Sequence, residues 1–144
     1  QINASQQLQA SALIGRGVLV AGDGISVGAE GAATPFGMEL ESPASELKLT
    51  ITDGAGSVVH ESTYENQQAG IQSFSWDGKD ASGATVVEGN YSVSITAVGP
   101  DGKSVPVQPL TMGYVGGVVA GDTGPQLDLG PKGLVGLDAI RQII

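Results

Sequence analysis

Cysteine is absent from this sequence. That excludes disulfides, zinc–thiolate sites and cysteine nucleophiles. Aromatic residues make up only 4%, so a core must rest on Val, Ile and Leu. Basic residues are scarce: 6 Lys and Arg face 15 Asp and Glu, a formal net charge of −9. Such a surface repels nucleic-acid phosphates and anionic lipid, and no basic stripe offers a footprint for DNA or RNA. No apolar run is long enough to span a membrane, and no signal peptide is visible. The Gly-x-Ser-x-Gly letters at Gly24–Gly28 fall on an expected strand rather than a strand-to-helix elbow, Gly102-Lys103-Ser104 lacks the glycine five residues earlier that a phosphate loop needs, and the Gly pairs lack the strand–glycine–helix setting of dinucleotide sites. The chain begins at Gln1 without a Met, and we expect it to be a piece of a longer protein.

What is present points to short strands. Hydrophobic residues are 40% of 144, enough for a core, and the 23 Gly and 7 Pro fall largely at turn-like positions. One stretch stands out: Phe74-Ser75-Trp76-Asp77-Gly78-Lys79-Asp80, then Ser82-Gly83, then Gly89-Asn90-Tyr91. Phe74 and Trp76 are two apart and share a face if the strand runs through both. Asp77-Gly78 breaks it, Ser82-Gly83 turns again, and Tyr91, Val93, Ile95 and Ala97 resume alternation. Phe74, Trp76 and Tyr91 are expected to anchor the core. Asp77, Gly78, Gly83 and Gly89 are expected to shape turns.

Taken in order, Gln1 to Ile14 has a broad apolar stripe and predicts a helix that Gly15 stops. Val18–Ala21 and Ile25–Val27, around Gly22-Asp23-Gly24, predict a small hairpin, and 28–35 a linker. Phe36, Met38 and Leu40 alternate with polar or small residues, as do Leu47, Leu49 and Ile51. Asp53-Gly54-Ala55-Gly56 predicts a hairpin loop, and Ser57–Thr63 the returning strand. Ile71–Trp76 and Asn90–Val98 follow, with a turn at Pro100-Asp101-Gly102. About five or six strands between 36 and 98 fit an immunoglobulin-like or fibronectin type III-like sandwich without a disulfide. Past Val107, Leu127 and Leu129 mark a short strand, and Leu137, Ile140, Ile143 and Ile144 have helical spacing. Each end is too short for its own core. The economical arrangement is a small β-domain from 15–33 with 105–144, interrupted by a sandwich at 34–104.

Each candidate site has a plain structural counterpart. Asp77, Lys79, Asp80 and Ser82 could form a cation loop, but Lys79 stands where an oxygen ligand is needed, and capped turns explain the carboxylates. His60, the only histidine, sits beside Glu61; strand neighbours point to opposite faces, so a solvent-exposed histidine is expected rather than a catalytic pair. Trp76 with Tyr91 could stack a sugar, yet their phase with Phe74 and Val93 favours the core. Glu39 with Glu41, and Glu61 with Thr63, look like solvated faces. No cofactor or metal is expected.

Several segments together resemble a family. Gln9-Ala10-Ser11-Ala12-Leu13-Ile14-Gly15-Arg16, the Phe74–Asp80 element with Gly83 and Gly89-Asn90-Tyr91, and Val135-Gly136-Leu137-Asp138-Ala139-Ile140 are similar, in this order, to bacterial flagellar hook-capping proteins of the FlgD family. The resemblance implies an all-β fold, a fibronectin-like sandwich inserted into a Tudor-like β-domain. It implies an oligomeric, non-enzymatic cap on the growing hook that helps exported hook subunits assemble. Export would run through the flagellar type III apparatus without a cleavable signal. The family's N-terminal region would lie outside this chain. The alternative is an extracellular carbohydrate- or surface-binding sandwich module, which needs an exposed aromatic platform. A hydrolase would need His60 near a Ser and a carboxylate.

Overall fold

The protein was analysed as a computed structural model, in which residues 9–144 are described. The chain divides into two compact units. One combines the chain up to Val20 with Met112–Ile144, and the other is continuous from Ala21 to Thr111. In chain order the strands are β1 (Gly17–Ala21), β2 (Gly24–Val27), β3 (Phe36–Leu40), β4 (Ala44–Thr52), β5 (Val58–Gln67), β6 (Gly70–Phe74) and β7 (Gly89–Val98). There follow β8 (Val107–Tyr114), β9 (Gly117–Gly121), β10 (Gly124–Asp128), β11 (Leu134–Gly136) and β12 (Gln142–Ile143).

The continuous unit is an all-β sandwich. One sheet has the order β2-β7-β4-β5, antiparallel throughout. In the other, β3 pairs antiparallel with β6 on one side and with Val107–Thr111 of β8 on the other. Alternation explains the core. Along β7, Tyr91, Val93, Ile95 and Ala97 are buried and the residues between them exposed. Their partners include Leu47↔Ala97, Leu49↔Ile95 and Ile51↔Val93, and the sheet faces Phe36, Met38 and Leu40. Each fully buried side chain of this size contributes about 1.5–3 kcal/mol.

Three loops share one device. Asp53, Asp80 and Gly99 each donate their N–H to the carbonyl four residues on, at 2.8–2.9 Å. The fourth residue of each loop is a glycine at positive φ: Gly56 (87°), Gly83 (88°) and Gly102 (80°). This is the type I turn with a left-handed closing residue that right-twisted hairpins favour.

The unit formed from the chain ends is smaller. β1 pairs with β12, and β10 lies between β9 and β11. Ala10, Val18, Val20, Val115, Leu127 and Leu129 form its core, with Leu13, Leu137 and Ile140 packed around it. Gly15, at φ 87°, ends the helical turn, and its N–H donates to Val115 O at 2.8 Å.

Several expectations need correction. Residues 9–12 are helical, and the predicted helix before Gln9 lies outside the described residues. β1 and β2 do not form a hairpin: β2 pairs with β7, Ile25 opposite Tyr91. Ile25 and Val27 enter the sandwich core, because a strand contributing two large side chains there buries more than a local turn gains. The boundary expected at 33/34 therefore falls at 20/21, and that at 104/105 falls at 111/112, since β8 pairs along the whole of β3. β6 ends at Phe74, so Trp76 lies beyond the strand. Helical spacing at the C-terminus gives only a 3-10 turn, Leu137–Ala139. Beyond it, Arg141 and Ile144 donate their N–H groups to Leu19 and Gly17 at 2.9 and 2.8 Å. Eight residues make a marginal helix, and pairing with β1 overrides it.

Candidate interaction surface

The loop between β6 and β7 is held at both ends by aromatic residues. Trp76 is 8% exposed and meets Tyr91 edge-on, ring centroids 5.4 Å apart. Its indole Nε1 donates to Lys79 O at 3.1 Å. The Tyr91 hydroxyl donates to Val87 O at 2.7 Å. Phe74, half-buried, stacks on Phe36 at 5.5 Å and touches Tyr64 at 5.7 Å. A buried indole or phenol needs a partner for its polar atom; here that partner is the loop backbone, so the core aromatics fix the loop.

Within the loop, many backbone groups are bonded locally. Asp77 Oδ1 accepts from Lys79 N at 3.0 Å. Asp80 Oδ1 accepts from Ser82 N and Ala84 N at 3.0 Å and from Ser82 Oγ at 2.7 Å. The Ser82 hydroxyl, then the Ala84 N–H, hold the Asp80 carboxyl below its ordinary value of 3.8. Val86 N donates to Gly78 O at 2.8 Å, and Lys79 pairs with Thr85 as an isolated bridge. Gly78 is buried, adopts φ 72° and lies directly against the backbone of Gly31. Gly83 at φ 88° and Gly89 at φ 151° face open space. The product is a rigid projection carrying Val87, 78% exposed.

The carboxylates of Asp77 and Asp80 are thus engaged by their own loop. Among the described residues, no three His, Asp or Glu side chains come together. His60 is not the solvent-exposed residue expected. It lies opposite Ile51, on the inner face of β5, half-buried, with Nε2 at 2.7 Å from Ser62 Oγ and its ring 6.3 Å from Trp76. Glu61 points the other way and pairs with Lys48 at 3.1 Å. A His–Ser pair on a strand, packed on a tryptophan, lacks the orienting acid of a nucleophilic triad. Strand parity was the available signal: Leu47, Leu49 and Ile51 face inward, so their partners Tyr64, Ser62 and His60 do too.

Two further features escaped the sequence. One is the Gly31–Gly78 approach. The other is the open side of β6, where Gly70–Ser73 are exposed. A cavity of about 560 Å³ adjoins it, lined by Glu39, Glu41, Ala69, Gly70, Pro106 and neighbours.

The FlgD Ig-like domain family matches residues 22–101, most of the sandwich. Over the whole chain, the sequence is 45% identical to the basal-body rod modification protein FlgD of Salmonella typhimurium and 44% identical to that of Escherichia coli. It spans 64% of the length of each. FlgD from Xanthomonas campestris, whose crystal structure addresses hook capping essential for flagellar assembly, superposes with a TM-score of 0.73 at 28% identity, covering 96% of this chain and 99% of that one. FlgD from P. aeruginosa gives 0.68 at 31% identity, covering 89% and 95%. The aligned relatives, the domain match and the sandwich with its aromatic-anchored loop lead to one assignment: this chain belongs to the FlgD family.

Proposed function

We propose that this chain is the two-unit core of a flagellar hook-assembly scaffold, which works by binding hook subunits rather than by catalysis. The observation that carries the reading is the match over the whole chain to relatives named basal-body rod modification protein FlgD. In this reading the full-length parent self-associates as a cap at the tip of the growing hook. It reaches that site through the flagellar type III apparatus, and it promotes polymerisation of exported hook subunits. The end unit corresponds to the Tudor-like domain. The sandwich contributes rigid contact surfaces, of which the Gly78–Glu88 loop with exposed Val87 is the best candidate, since a loop set on a fixed sheet can present a side chain without disturbing the core. The carbohydrate-binding alternative is disfavoured by the burial of Trp76.

Complementation tests this. In a strain lacking its cap protein, the full-length parent should restore hooks, and the parent with Val87→Asp, folded as judged by circular dichroism, should restore fewer or shorter ones. Normal hooks from a parent deleted for residues 22–101 would show that the sandwich plays no part in capping.

A further inference from the structure

Three of the sheet-edge strands, β2, β5 and β6, are protected very differently. Edges expose unpaired backbone groups, and proteins ordinarily blunt them with charge, proline, bulges or a covering segment. β2 is covered: Ser26 N donates to Thr34 Oγ1 at 3.1 Å, Thr34 N donates to Ser26 O at 2.9 Å, and Val27 bridges Ala33. β5 carries His60, Glu61 and Glu65, and its register with β4 shifts near Ile51. β6 has none of these defences. It pairs only with β3, and no described strand lies on its other side. From Asn66 to Trp76 there is no charged residue and no proline, in a chain of net charge −9.

The surroundings of that edge define what would fit. At its Gly70 end is the cavity of about 560 Å³, whose lining includes Glu39 and Glu41 and no Lys or Arg. A second, of about 430 Å³, is lined by Asn66–Gln72; its amide side chains can both donate and accept. Ala69 and Gly70 line both. Backbone groups on a bare edge recognise any extended chain, while the flanking pocket sets which side chain follows.

We propose that β6 is a docking edge for an extended peptide segment of a partner protein, one that adds as a further strand and places a Lys or Arg over Glu41. A second copy of this chain is the poorer occupant, because it would bring another body of charge −9 and another Glu41. The inference does not depend on the hook-cap reading, since the partner is defined by its backbone and charge.

The test uses the labelled chain and an acetylated, amidated Thr-Val-Thr-Val-Thr-Lys peptide, followed by amide NMR. Shift changes should concentrate at residues 66–74 and along β3. Methylating the peptide's backbone N–H groups should weaken binding by about tenfold or more, since several hydrogen bonds are lost together. Replacing its Lys by Glu should weaken it as well, and Glu41→Lys in the protein should invert that preference. Equal binding of the methylated peptide, changes gathered on β5, or no change at millimolar peptide would overturn the proposal. Broadening of 70–74 with protein concentration alone would overturn it in favour of a second copy.

Discussion

The β6–β7 loop and the β6 edge are consecutive in the chain and opposite in character. In the loop, backbone groups of Gly78, Lys79, Asp80, Ala84, Val86 and Val87 are bonded by neighbouring backbone, by Asp77 and Asp80, or by the core residues Trp76 and Tyr91. Along β6, alternate backbone groups have β3 on one side and open space on the other. A loop held largely by its own backbone contacts recognises a partner chiefly through side chains, and Val87 is the large apolar one it displays. An edge with few distinguishing side chains recognises through its backbone. One surface can be altered by point substitution without changing the fold; the other resists single changes, because its donors and acceptors belong to every residue type.

The largest effect that would break this contrast is expected at Gly78. A methyl group there meets the Gly31 backbone, and the residue is already at φ 72°. Gly78→Ala should cost about 2–4 kcal/mol from overpacking and left-handed strain together. Gly83→Ala, at φ 88° but in open space, should cost only about 1–2 kcal/mol. Urea denaturation followed by Trp76 fluorescence measures both. Equal costs would mean that the loop yields at Gly78 and is less rigid than its bonds imply.

Next come the aromatic anchors. Tyr91→Phe removes the donor to Val87 O and keeps the ring against Trp76, so it should cost about 1 kcal/mol. Amide exchange should quicken around Val86 and Val87 while the β4 core amides keep their protection. Loss of protection throughout β4 would show that the hydroxyl supports the sandwich as a whole, not the loop.

On the edge, Ile71→Thr should change stability by less than about 0.5 kcal/mol, since Ile71 is 42% exposed and Thr keeps strand propensity. A larger loss by thermal denaturation would mean that Ile71 packs against something, and that the edge is less bare than its pairing shows.

How much of this contrast could be read beforehand depends on range. Alternation in β3, β4 and β7 is written in consecutive residues, and the turns at Asp53–Ser57 and Asp80–Ala84 follow from Asp and Gly at fixed offsets. Trp76 was legible as a core residue by its phase with Phe74, although the strand stops before it. The partner of β2 was not legible: its neighbour in sequence is β1, and its partner β7 begins at Gly89. Local spacing cannot choose between a near turn and a distant strand when both bury the same side chains. The bare edge was hidden for the same reason. Asn66–Trp76 is visibly uncharged, but which of its sides lacks a neighbour is a property of topology. The C-terminal segment shows the converse, where helical spacing was clear and pairing with β1 overruled it.

The smallest expected effect concerns Asp80, and it asks whether the loop's own hydrogen bonds or its aromatic anchors hold it. The carboxyl is depressed below 3.8, chiefly by the Ser82 hydroxyl and then by Ala84 N–H. A depressed folded value means that the contribution is present above the ordinary value and is lost as pH falls through the lower, folded one. Between neutral pH and about pH 4, the amides of Ser82 and Ala84 should therefore keep constant protection, after correction for intrinsic exchange. Below the folded value that protection should fall, while the amide of Val93 in β7 is unaffected. Ser82→Ala should move the Asp80 titration upward, because it deletes the largest cause of the depression, and the loss of protection should begin at higher pH. If carbonyl-detected NMR finds the Asp80 titration unmoved in Ser82→Ala, the backbone donors alone set it. The loop would then owe its shape to Trp76, Tyr91 and the Gly31–Gly78 contact, and the carboxylate would be incidental to how Val87 is presented.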